Sequence, residues 1–200
     1  MQHSIIKSAT TGSRNFAQRW SADKRGVAAI EFAMIVPIML ALFIGSIEFS
    51  QAITVDRRVT QIASSTADLV AREKTISDVQ LSNVMDIAKV LMKPYETSPL
   101  RITLTSVGAN IANATKTGVC WSYNFQGGAA SYAQGQAYTL PAGIVDAGGS
   151  VVIAEVKYNY SPLIFSTYMP GITELKDKFY LKPRASSQIQ YNGQALCVIP

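Results

Sequence analysis

Histidine occurs once in the 200 residues, at His3, and cysteine twice, at Cys120 and Cys197. A lone histidine so close to the start excludes a Ser-His-Asp triad, a histidine-rich zinc site and a His-Cys dyad from the rest of the chain. Two distant cysteines are too few for a cysteine-only zinc site. No Gly-Lys-Ser/Thr phosphate loop occurs, and Gly127-Gly128 lacks the lysine that would have to follow. Charged residues are scarce, at 16%, and the 13 acids form no clear cluster, although paired acids stay open as a motif. The expectation is a protein that is not an enzyme, with no catalytic residue, metal or cofactor.

The charge that is present is uneven. Lys7, Arg14, Arg19, Lys24 and Arg25 face only Asp23 within residues 1–25, a balance of +4 out of the total of +5. The rest of the chain is close to neutral. A basic tail beside a neutral remainder argues against nucleic acid, which needs cations on a folded face. It suits a solvated or lipid-facing tail.

Phe32 to Ile47 reads FAMIVPIMLALFIGSI, without one charge. From Val27 to Ile47 a helix would span about 30 Å, enough for a hydrocarbon core. The preceding cations place the N-terminus in the cytoplasm and the bulk of the chain outside, against Arg57, Arg58 and Arg72 on the far side. Two residues are unusual in such a run. Pro37 removes a helical hydrogen bond and predicts a kink. Glu31 sets a carboxylate in apolar surroundings, where mid-membrane it would cost about 2.5–3.5 kcal/mol. Either it reaches the headgroups or it meets a cation.

The stretch RGVAAIEFAMIVPIMLALFIGSIEF resembles the N-terminus of the TadE-like proteins, minor pseudopilins of the Tad (tight-adherence, Flp) type IV pilus system. The resemblance rests on a basic leader ending in Arg25-Gly26, Glu31 five residues after the glycine, Phe32 directly behind it, Pro37 in the apolar helix and Glu48 at its end. It implies cleavage by a prepilin peptidase between Gly26 and Val27. Glu31 would then pair with the freed Val27 ammonium of a neighbouring subunit, and an unpaired Glu31 would penalise a wrong register. The implied partners are the inner membrane, the peptidase, other Tad pilins or pseudopilins and the assembly platform. The implied role is a non-catalytic component needed for pilus biogenesis, adherence or biofilm formation. Two alternatives stay open: an uncleaved single-span tether for a periplasmic binding or adhesion module, and a secretory signal cut near Ser50-Gln51-Ala52.

The expected organisation is a leader over 1–26, a transmembrane helix over 27–50, a helical stalk over 51–74 and an extracytoplasmic domain over 75–200. The stalk carries an apolar stripe through Val55, Val59, Ile62, Ala63, Leu69 and Val70. Thr75-Ile-Ser-Asp78 predicts a capping box for a second helix, about 76–92, with Val79, Val84, Ile87, Ala88 and Leu91 inward. Strands are expected at Leu100–Val107, Val119–Phe125 and Val151–Tyr160, the last with Glu155 on a polar face. Gln126–Gly149 suits a long surface loop. A short helix is expected near Glu174–Lys178, then a strand pair or one broken strand over 179–191. The fold class is α+β, with helices packed on an antiparallel sheet. Cys120 and Cys197 are either free thiols or, in an exported domain, a disulfide; the bond would stabilise the fold by roughly 4–5 kcal/mol in the chain-entropy model.

Overall fold

The computed structural model describes residues 25–162 and 173–200. Residues 1–24, most of the expected leader, and residues 163–172 lie outside the described residues. The chain is α+β. Helix α1 (Arg25–Ala71) is followed by β1 (Thr75–Ile76), α2 (Asp78–Met92), β2 (Leu100–Ala109), β3 (Thr117–Phe125), β4 (Ser150–Tyr160), β5 (Thr173–Leu181) and β6 (Gln190–Tyr191). Strands β2 to β5 form an antiparallel sheet in the order β3-β2-β4-β5, and β1 pairs with β6 in parallel. The chain divides into two compact units, 1–47 and 48–200, with α1 running through both.

The second unit has its core between the helices and one sheet face. Val55, Val59, Ile62, Ala63, Ala67 and Val70 from α1 are fully buried there, and Leu69 is half-buried against it. The sheet answers with Leu100, Ile102 and Leu104 from β2 and with Val152, Ala154 and Val156 from β4. Arg58 links the helices at one end: its Nη1 donates to Leu91 O at 2.9 Å, at the carbonyl-rich end of α2.

Helix α2 starts two residues later than the sequence suggests. Ser77 is the N-cap, and its side chain and Gln80 form a reciprocal capping box, in place of Thr75 and Asp78. The inward face differs too. Leu81, Val84, Met85, Ala88 and Met92 are buried, while Val79 and Ile87 are exposed. The cause is Ile76, buried in the core just before the cap, which fixes the rotation at which α2 begins.

The segment Glu174–Lys178 is not helical. It is the middle of β5, in register with β4 from Tyr160↔Thr173 to Val152↔Leu181. The sequence Glu-Leu-Lys-Asp-Lys holds good helix formers, but a paired edge overrides propensity. Of the expected 184–191 strand, only Gln190–Tyr191 pairs.

The sheet is buried on both faces. Val107, Val119, Val151 and Ile153 form a second cluster, covered by Tyr132, Tyr138, Leu140 and Ile144. The 126–149 stretch, expected to lie on the surface, is therefore the lid of a second core.

Candidate functional site

The segment from Gly26 to Ile47 presents large apolar side chains that no other described residue covers. Val27, Ile30, Phe32, Met34, Leu42 and Phe43 are each more than half exposed. Side chains of this kind in water form a contiguous apolar surface far beyond what a soluble unit tolerates, and lipid or packed helices are the media that accept it. Helix α1 is long and apolar enough to cross a membrane, and it is the one such helix among the described residues. It is compatible with a single-pass anchor.

The five N-terminal residues of interest lie on this stretch. Gly26 is helical, and a Cβ built there would meet nothing within 4 Å. The fold of the chain thus gives no reason for a glycine at 26. Val27 and Phe32 are exposed, at 51% and 68%. Glu31 is exposed and has no partner among the described residues. Pro37 lies inside the helix, which continues through it; the missing N–H leaves the carbonyl of Ala33 without its helical donor. Glu48, at the start of the second unit, is buried. Burial raises the pKa of Tyr160, and the negative charge of Glu48 raises it further.

The TadE-like protein family model matches residues 26–68.

The match covers 43 of the 200 residues and spans the exposed apolar segment together with the turns of α1 that enter the helix-on-sheet core of the second unit. No curated protein and no solved structure matches the chain.

The cysteines lie elsewhere, in the second unit. Cys120 is bonded to Cys197, with a Cα–Cα distance of 5.4 Å. Cys120 owes its direction to a bulge. Ser106 pairs with Trp121 and Val107 with Val119, so Cys120 is the extra residue. The bulge brings Cys120 to the same core as Trp121, while Val119 faces the second cluster.

One group of functional side chains was not singled out by the sequence. Glu155, 3% exposed, lies under the lid. Tyr132 Oη donates to its two carboxylate oxygens at 2.9 and 3.1 Å, Tyr138 Oη donates at 3.1 Å, and Lys178 Nζ stands 2.6 Å away. Burial, then the charge of Glu155, holds the Tyr138 phenol far above its usual range. Burial works against the Lys178 charge, but the hydrogen bond and charge of Glu155 outweigh it and raise its pKa. The alternation of β4 assigns Glu155 to water, and only the two tyrosines in an otherwise small-residue loop hint otherwise. The group is fully partnered and has the character of a structural latch. A hollow of about 620 Å³ near Lys116, Gly118 and Pro141 is lined mostly by Ala, Gly, Thr and Pro and lacks convergent polar groups. Among the described residues, no three His, Cys, Asp or Glu side chains are placed to hold a metal ion.

Proposed function

We propose that the chain is a minor pseudopilin of a Tad/Flp-type pilus, processed by a prepilin peptidase between Gly26 and Val27 and needed for pilus biogenesis, adherence or biofilm formation. The observation that carries this reading is that the TadE-like match begins at Gly26, the residue before the proposed cut. The open space around Gly26 supports it, because a glycine that the fold does not require is left for recognition by another protein.

Cutting there creates an ammonium on Val27. In a filament the carboxylate of Glu31 meets the Val27 ammonium of an adjacent subunit, and two charges that lipid and packed helices reject are neutralised together. Phe32 and the other exposed apolar residues supply the packing surface, and Pro37 loosens the helix locally so that it can adjust. Before assembly the helix spans the inner membrane once. Its basic leader is cytoplasmic and the 48–200 unit periplasmic. The partners are the peptidase, neighbouring Tad pilins or pseudopilins and the assembly platform. The contribution is structural, without catalysis, a cofactor or nucleic acid.

N-terminal sequencing of the protein from its own cells tests the cut. Val27 is the expected first residue; Met1 alone, with an active peptidase present, sinks the cleavage. Glu31→Ala is expected to keep membrane insertion and to reduce piliation, and unchanged piliation removes Glu31 from the mechanism. One observation favours a second reading. Residues 69–200 lie outside the family match, as they would if an unrelated module were tethered by an uncleaved TadE-like helix. The same sequencing experiment separates the two, since a tether keeps Met1.

A further inference from the structure

The segment from Arg184 to Pro200 doubles back over the ends of earlier elements. The backbone N–H groups of Arg184, Gln190 and Asn192 donate to Ala71 O, Lys74 O and Ile76 O at 2.8, 3.0 and 2.9 Å. These acceptors lie at the end of α1 and just beyond it, where a helix leaves carbonyls without internal donors. At the start of α2, Asp78 accepts from Tyr191 Oη and, at 3.0 Å, from Asn192 Nδ2. The whole turn between the helices is thus completed by residues more than a hundred positions later.

The same segment grips the sheet. Trp121 Nε1 donates to Ile189 O at 3.0 Å, and its ring stacks on Tyr191 with centroids 5.4 Å apart. Cys197 is bonded to Cys120, and Asn110 Nδ2 donates to Ile199 O at 2.8 Å. Ile199 lies over the paired glycines Gly108 and Gly118; a Cβ on Gly118 would stand 3.0 Å from Ile199 Cδ1.

These attachments are unequal in kind. Of residues 184–200, only Ile189 is buried. The core between helices and sheet is made almost entirely by other residues, many of them fully buried. One covalent bond therefore anchors a segment that is otherwise held by hydrogen bonds, the one buried side chain of Ile189 and a few half-buried ones.

We propose that residues 184–200 are a redox-released strap. Exchange with a dithiol, which becomes its own disulfide as Cys120–Cys197 takes up two electrons and two protons, frees this segment as a unit and unpins the α1–α2 junction at 71–78, while the helix-on-sheet core stays folded. Closure is thiol–disulfide exchange with a disulfide donor. The Cys197 thiolate attacks one donor sulfur and releases the first donor thiolate. The Cys120 thiolate then attacks the Cys197 sulfur of the mixed disulfide and releases the second. The two protons given up by the cysteines end on the two donor thiols, so the donor is reduced by two electrons as the strap is oxidised. In the cell this rests on the proposed extracytoplasmic placement of the 48–200 unit, where disulfides persist. There, strap closure is the last step that fixes the junction.

Amide hydrogen exchange on the full chain in detergent, oxidised and with dithiothreitol, tests the strap. Reduction should speed exchange at Arg184, Gln190 and Asn192 by at least about tenfold and leave β2 and β4 protected. The Cys120→Ala/Cys197→Ala variant should show the same pattern without reductant. Equal loss of protection in β2 and β4 would make the disulfide a staple of the whole unit, and unchanged protection in the segment would make it idle; either overturns the strap. Thiol labelling in cells addresses its placement separately. A maleimide should modify Cys197 only after reduction. Labelling without reductant removes the extracytoplasmic placement and leaves the exchange result standing.

Discussion

Glu155 shows how much a single side chain decides here. Its carboxylate is out of water, and its cost is met by two phenol hydroxyls and one ammonium. Because the two tyrosines share one acceptor, their contributions are coupled. Tyr132→Phe and Tyr138→Phe should each cost about 1 kcal/mol, since the remaining hydroxyl still serves the carboxylate. The double variant should cost more than the sum, because Glu155 is then left with Lys178 alone. Urea unfolding followed by Trp121 fluorescence in a Trp20→Phe background measures this. Simple additivity would show that Glu155 is not the shared acceptor. Asp78 and Tyr191 form a second pair with a pH signature. Hydrogen bonds from Tyr191 and Asn192 hold Asp78 below its ordinary 3.8, and burial and then the bond to Asp78 push Tyr191 up to about 12. A lowered acid stabilises the fold above its unfolded pKa and loses that contribution as pH falls through the folded value. A raised phenol stabilises below pH 10 and loses that contribution as pH rises toward about 12. Protection of the Asn192 amide should accordingly be flat between about pH 5 and 9 and fall outside that range on both sides. A profile with no loss on either side would deny the pair a role in holding the segment.

At the level of elements, the cap of α2 and the glycine at the lid hinge are the sensitive points. Ser77→Ala removes the N-cap side chain and should cost about 1 kcal/mol in thermal or urea unfolding. Gly128 has φ +72°, and a Cβ there would stand 2.5 Å from Asn124 Oδ1 and 2.7 Å from Thr103 Oγ1. Gly128→Ala should cost about 1–3 kcal/mol and detach the start of the lid, where Ala129 and Ala130 N–H donate to Thr103 Oγ1. Exchange protection at those two amides reports it. The elements legible in the sequence are those whose pattern is intrinsic. The apolar segment, the stripe from Val55 to Val70 and the alternation of β2 and β4 need no distant partner to be recognised. The illegible ones depend on partners. The Glu174–Lys178 part of β5 reads as helix until Lys178 is seen opposite Glu155. The cap shifts to Ser77 because Ile76 is held in the core by residues far along the chain. Cys120 turns toward Cys197 through a bulge that no local rule announces. The candidate site divides the same way. Glu31 and Pro37 stand out by their chemistry within one apolar run, and Gly26 and Phe32 only through the resemblance to the TadE-like proteins, whereas the Glu155 latch exists only once a loop has folded over a sheet.

For the whole molecule, the contrast between the exposed apolar segment over 26–47 and the well-packed unit over 48–200 predicts how the chain partitions. Full-length protein should remain with membranes through alkaline extraction. Ile38→Arg places a cation in the middle of the apolar run and adds about 2.5–3.5 kcal/mol on insertion scales, so the pelleted fraction should drop sharply. An unchanged fraction would mean that this helix is not the anchor. The parallel pairing of β1 with β6 has a consequence in time. Asp78 and Asn192, which bond across it, are 114 residues apart. A ribosome works from one end of the chain to the other, so both helices exist long before the strand that completes the turn between them. Until Gln190, Tyr191 and Asn192 are made and delivered, every chain carries an open joint at 72–77. The interval during which a chaperone or protease can tell a closed joint from an open one is therefore set by the 114 residues that separate its two sides.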